Sequence, residues 1–186
     1  DNSKNNLVKI REKETKKALD GLGDLFLLGF KDGELSINYK ILKDLKELIV
    51  YIKPDLILTH PPEDYHPDHQ ALSNFVINAA GFSTPVLYAD TLLGINFIPD
   101  YYVDITKHFM DKEKAIMCHE SQNPKNFIDA MKIQNRFRAA QCNAPKGHYA
   151  EAYRIKKTFP YVDIRGLLPK APNLKPFYVS NINSLI

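Results

Sequence analysis

The chain has little of what marks several common functions. It holds two cysteines in 186 residues, Cys118 and Cys142, and neither sits in a CxxC or a Cys/His spacing. That argues against a disulfide framework or a thiolate metal knuckle and predicts reduced thiols in a cytoplasmic protein. No apolar run approaches the roughly 20 residues that cross a bilayer, so no membrane span is expected. No leader-like segment is read at the start. Glycine is sparse, and Gly21, Gly23, Gly29 and Gly33 are not spaced as a phosphate-cradling loop, while Gly81 closes a helix. Charge of one sign is also scarce. The net charge is +3, and bases alternate with acids, as in Arg11, Glu12, Lys13, Glu14, Lys16 and Lys17. That pattern is a solvated helix face, and a nucleic-acid binder would show a basic stripe interleaved with aromatics instead.

Enough apolar residues remain, 44%, for one compact domain with a substantial core. Residues 5–20 read as a charged helix ended by Gly21 and Gly23, and Leu25–Leu28 as a short buried strand before the turn Lys31-Asp32-Gly33. Ile41, Leu45, Leu48, Ile49 and Ile52 fall on one face of a helix that Pro54 stops. Leu56–Thr59 is the next buried strand. A second helix starts near His66, with Pro67 in its first turn and Leu72, Phe75, Val76, Ala79 and Ala80 on its apolar face. Residues 85–88 and 101–105 read as strands. Thr106 is expected to cap a helix carrying Phe109, Met110, Ile116 and Met117. Residues 126–141 and a stretch around 148–156 read as helical, and the tail from Phe159, with four prolines, as irregular. This alternation implies an α/β fold, a Rossmann-like three-layer arrangement with a mainly parallel sheet flanked by helices.

In such folds ligands bind beyond the carboxyl ends of the strands. The loop after Thr59 lies there and concentrates three histidines and three carboxylates in ten residues, His60 to His69. His66 and His69, three apart at a helix start, share a face, and imidazole is a common zinc ligand. Asp64 and Asp68 have the chemistry to orient imidazoles or to move protons. Asp68 is also favoured in a first helical turn by the helix dipole alone. His60, standing alone after the strand, is read as a solvated or capping histidine. A catalytic zinc takes three protein ligands, which His66 and His69 alone do not supply, and His108, His119 and His148 lie in separate segments.

The stretch Asp64-x-His66-Pro67-Asp68-His69 resembles the second signature of the PIG-L/LmbE-like N-deacetylases. Further fragments are similar to that family in the expected order: Arg11-x-x-Glu14 with Ala18 and Leu22-Gly23, then Leu28–Gly33, then Lys53-Pro54-Asp55 before Leu56–His60. After them come Tyr102–Thr106, His119–Gln122 and Tyr149–Tyr153. The resemblance implies a zinc-dependent hydrolase, or one using another divalent metal, that removes an acetyl group from an N-acetylated amino sugar or its conjugate. It implies that His69 is a zinc ligand. His66 would stabilise the oxyanion or protonate the leaving amine, Asp68 would pair with His66, and Asp64 would take a less defined acidic role. His148 and Tyr65 are implied on the substrate side.

One departure stands out. The family's first signature, Ala-His-Pro-Asp-Asp-Glu, supplies two further zinc ligands and the general base, and it does not occur in these 186 residues. His60-Pro61-Pro62-Glu63-Asp64 is a faint echo in another place. The chain is therefore read as a single N-deacetylase domain over residues 1–186 that lacks its N-terminal strand-helix-strand portion, roughly 40 residues. It is expected to hold catalytic zinc poorly and to leave an unpaired sheet edge. The alternative is a catalytically inactive relative that binds a sugar or a partner. A homo-oligomer is kept open, since Tyr, Phe and Lys near the C-terminus suit packing against a second subunit or substrate.

Overall fold

The computed structural model describes residues 2–37 and 39–175. Its elements are α1 (Asn2–Ala18), α2 (Lys40–Ile52), β1 (Ile57–Thr59), α3 (Pro67–Ala80), β2 (Val86–Ala89), β3 (Tyr101–Asp104), α4 (Phe109–Met117), α5 (Pro124–Gln141) and β4 (Ala150–Ile155). The sheet runs in the order β1-β2-β4-β3. The α/β architecture with flanking helices is as the alternation of elements implied, but the sheet is mixed. β1 and β2 are parallel, while β4 runs antiparallel to both β2 and β3. The carboxyl ends of β1, β2 and β3 and the amino end of β4 therefore share one rim.

Local chemistry sets the helix ends. α2 buries Ile41 and turns Leu45 and Ile49 toward the core, and it ends where Lys53 adopts a left-handed φ of 51° just ahead of Pro54. α3 is capped by His66, whose extended backbone places its ring Nδ1 to accept the Asp68 N–H at 3.2 Å, with Pro67 in the first turn. Val76 and Ala80 of α3 meet Val86, Tyr88 and Ala152 on one sheet face, together with Phe97. On the opposite face Leu87 and Ile155 are covered by Ile164 from the tail.

Several expectations are corrected. Residues 25–28 form no strand, and Phe26, Leu27 and Leu28 are exposed. A strand needs a hydrogen-bonding neighbour, and none lies beside this segment among the described residues. Residues 150–155 are a strand, not a helix: Ala150 and Ala152 are buried while Glu151 and Tyr153 face the other way, so sheet pairing overrides the helix propensity of Ala and Glu. Thr106 does not cap α4. It opens a 3-10 turn, and its hydroxyl donates to Asp104 and accepts from the Tyr149 N–H. β1 is an edge strand, and its Leu58 is exposed rather than buried. The tail is irregular apart from a 3-10 turn at Arg165–Leu167 and an isolated bridge between Thr158 and Tyr161; residues 176–186, with Pro176, Phe177 and Tyr178, lie outside the described residues.

Two buried ion contacts tie the elements together. Arg138 of α5 makes a bidentate pair with Asp90 just after β2, at 2.6 and 2.9 Å. Gly94 passes so close that an added Cβ would lie 2.6 Å from the Arg138 guanidinium, and its φ of +71° also favours glycine. Glu14 of α1 accepts from the Ser121 N–H and hydroxyl, both at 2.7 Å. The two fragments Arg11-x-x-Glu14 and His119–Gln122, distant in sequence, are thus one contact.

Candidate metal centre

β1 delivers its chain to the rim, and His60 follows immediately. The loop then folds over itself, with the Asp64 N–H bonded to the Pro61 carbonyl at 3.2 Å. Glu63 anchors it to β4 through an ion pair with Arg154 at 2.6 Å, whose guanidinium lies over Tyr88 and Phe97. Asp64 is 3% exposed and stands at the centre. Its Oδ1 accepts the His66 N–H at 2.9 Å and meets His69 Nδ1 at 3.0 Å. Its Oδ2 lies 3.9 Å from His60 Nδ1. The His60 ring stacks flat on His69, with centroids 3.8 Å apart and 5° between planes.

These contacts give the two motif histidines opposite tautomers. Asp64 accepts at His69 Nδ1, so the proton sits there and Nε2 keeps its lone pair, the form that ligates a metal. The backbone N–H of Asp68 donates to His66 Nδ1, so in the neutral ring the proton is on Nε2, the form that donates. The Asp68 carboxylate does not grip the His66 ring. It accepts from the N–H groups of Gly33 at 2.6 Å and Leu35 at 3.2 Å, chiefly the first, and they hold it below the ordinary aspartate range. Burial, helped by the neighbouring His69, pulls the His60 imidazole below its usual value against the attraction of Asp64, which keeps it neutral.

One donor atom each from His60, Asp64 and His69 lie within 4.8 Å of one another. Two imidazoles and a carboxylate are a donor set that suits zinc, whose bonds of about 2.0–2.2 Å require the widest of these separations to close on loading. The donor chemistry fits the group; with Asp64 held on His69 Nδ1, the His69 Nε2 lone pair and the His60 imidazole are the donors left for a metal.

His60, Asp64, Tyr65 and His69 line a groove of about 520 Å³. Tyr65 stands edge-on to His66 and His69. The His66 ring is 4.7 Å from that of His69 but is not among the lining residues, nor is Asp68. His148 lies on the same rim, outside the groove lining, with Nδ1 3.0 Å from Asp104 Oδ2. The structure therefore gathers Asp64, Tyr65, His66, Asp68 and His69 and leaves His148 apart. It also brings in Lys112 of α4 and Asn135 of α5, which carried no local signal in the sequence, and Glu151 and Tyr153 of β4, from the fragment Tyr149–Tyr153, and all four line the groove. Lys112 Nζ donates to Glu151 at 2.5 Å and to Asn135 Oδ1 at 3.1 Å, and the Tyr153 hydroxyl donates to Glu151.

The comparisons agree with the resemblance. The GlcNAc-PI de-N-acetylase family (PIG-L) matches residues 1–80. A probable N-acetyl-alpha-D-glucosaminyl L-malate deacetylase 2 of Bacillus cereus is 33% identical over 144 residues, covering 68% of this chain and 64% of that protein. A diacetylchitobiose deacetylase of Thermococcus kodakarensis is 25% identical over 167 residues, covering 80% and 62%. The chain thus spans less than two thirds of the length of either curated relative. Among solved structures, the 4-carboxy-2-hydroxymuconate hydratase GalB of Pseudomonas putida KT2440 superposes with a TM-score of 0.67 at 20% identity, covering 84% of this chain and 74% of that one. The N,N'-diacetylchitobiose deacetylase of Pyrococcus horikoshii does so with 0.66 at 23% identity, covering 87% and 69%. At such identities the superpositions establish the fold.

Proposed function

Its kinship with the PIG-L/LmbE-like N-deacetylases is the premise from which we propose that this chain carries part of a metal-dependent deacetylase site, acting on an N-acetylated amino sugar or its conjugate. The observation that carries this reading is the Asp64–His69 pair on the sheet rim, which fixes the ligating tautomer beside a second, neutral imidazole at His60. His69 would hold the metal through Nε2 with Asp64 orienting its ring from Nδ1, and His60 is the other imidazole in reach. A bound divalent cation, zinc or a similar ion, supplies an acidified water and polarises an amide carbonyl.

The chain's own residues then have distinct tasks. Asp64 positions His69 and, through the His66 N–H, the start of α3. His66, whose ring lies outside the groove lining but 4.7 Å from that of His69, would bring its Nε2–H to the developing oxyanion or the leaving amine, with its ring orientation set by the Asp68 N–H. Asp68 clamps α3 to the Gly33–Leu35 turn, so its service to His66 runs through the backbone. Tyr65 closes one side of the groove. The general base that the resemblance assigns to the first signature has no counterpart in the 186 residues.

The second reading is a catalytically inactive relative that binds the sugar in the same groove. Metal analysis together with an acetate-release assay on N-acetylglucosamine compounds separates the two. In the deacetylase, His69→Ala loses metal and activity together, whereas His66→Ala keeps the metal and loses turnover by about 10²-fold or more. Full turnover in His66→Ala removes its assigned role. A metal-loaded wild-type protein that releases no acetate leaves the inactive reading.

A further inference from the structure

We propose that the groove wall built by Lys112, Asn135, Glu151 and Tyr153 reads the hydroxyl groups of the substrate's sugar ring, and so sets specificity at a distance from the histidines. The proposal takes the direction of the bound acetamido arm, toward His69, from the deacetylase reading; the wall's preference for hydroxyl groups rests on its own geometry.

The four side chains come from three elements and face one cavity. On β4, Ala150 and Ala152 are buried, and Glu151 and Tyr153 line the groove. Lys112 has three N–H donors, of which Glu151 and Asn135 take one each, and no third protein partner is present among the described residues. Glu151 receives Lys112 on one oxygen and the Tyr153 hydroxyl on the other, so each oxygen retains a lone pair. Burial and the neighbouring Glu151 charge push the Tyr153 hydroxyl far above its ordinary value, so it stays a donor. Asn135 is fixed in turn, because its amide donates to the Ala150 carbonyl at 2.9 Å.

The wall therefore shows an uncommitted donor beside uncommitted acceptors, with the cation and the anion cancelling. A hydroxyl group donates and accepts at once and satisfies both. An anionic group would face Glu151, a cationic group would face Lys112, and an apolar group would leave both without partners. The spacing also suits a ring. β1, which leads to His60, and β4, which carries Glu151, are separated by β2, so their strands are about 10 Å apart at two strand spacings. Phe127 and Met131 supply apolar wall between polar contacts.

The test uses the full-length protein and its Lys112→Met and Glu151→Gln variants. Titration calorimetry with N-acetylglucosamine measures binding. Acetate release is compared between that sugar and N-acetylcyclohexylamine, a ring of similar size without hydroxyls. The expected result is about tenfold weaker sugar binding and a similarly raised KM for the sugar, with kcat and turnover of the hydroxyl-free amide within about twofold. Unchanged sugar binding overturns the proposal, and so does an equal loss on both substrates, which a merely structural tie between α4 and β4 would give. If either variant fails to fold, the wild-type protein decides: the sugar must shift the Lys112 ammonium and Asn135 amide resonances, and silence at both overturns the proposal. If sugar binding depends on these residues but the wild-type protein releases no acetate, the hydroxyl-reading wall stands and the deacetylase reading falls.

Discussion

Two regions of this molecule invert the usual rule of burial. In the loop from His60 to His69, Asp64 is charged and almost wholly buried, while some forty residues earlier Phe26 and Leu27 are apolar and 46% and 52% exposed. The difference lies in partners. Asp64 has the His66 N–H and the His69 ring on one oxygen, which offsets the cost of taking a carboxylate out of water. Phe26 and Leu27 have no strand beside them to complete a sheet among the described residues, and hydrophobicity alone does not create a place to be buried. A side chain's character states what it requires, and its neighbours decide whether it obtains it.

The largest expected break in this comparison comes at Asp64. Asp64→Asn keeps the shape and one acceptor oxygen but removes the negative charge and turns an NH2 toward His60, so the His69 ring is held by a weaker, neutral acceptor. Zinc affinity is expected to fall about 10- to 100-fold in a competition titration with a chelator. An unchanged affinity would show that Asp64 neither ligates nor orients. A middle-sized effect is expected at the Asp104–Thr106–His148 cluster. Burial raises the Asp104 carboxyl, but the Thr106 hydroxyl and N–H and the His148 ring outweigh it and hold the group below the ordinary aspartate range. A carboxyl lowered on folding adds stability that is fully present above its unfolded value, about 3.9, and that is lost as pH falls through the folded value. The denaturation midpoints of wild type and Asp104→Asn should therefore differ at pH 6 and converge below about pH 4. A gap that persists to pH 2 would contradict this. The smallest effect is expected at Leu27→Ser, within about 0.5 kcal/mol by urea denaturation, because an exposed side chain loses little on becoming polar. A loss above 2 kcal/mol would mean that Leu27 is buried in the protein in solution.

Much of this architecture is legible in the sequence where the signal is periodic or local. α2 shows its stripe, α3 its start near His66 with Pro67 in the first turn, and the histidine loop its density of titratable groups. β4 is harder to read, since Ala and Glu favour helices and only the alternation of small and large side chains marks a strand. The role of His60 is invisible for another reason. A single histidine after a strand looks solvated until the fold lays its ring on His69. Lys112, Asn135 and Glu151 are ordinary residues on three segments, and only tertiary structure places them in one groove. The meeting of Glu14 with Ser121 is of the same kind.

The reversed direction of β4 has a practical consequence. The turns after β1, β2 and β3 and the turn before β4 all open on one side of the sheet, so all can be lengthened or exchanged without disturbing a strand pairing. A library confined to residues 145–147, which lie outside the groove lining and leave the buried Ala144 in place, would leave the histidine loop and the groove wall untouched.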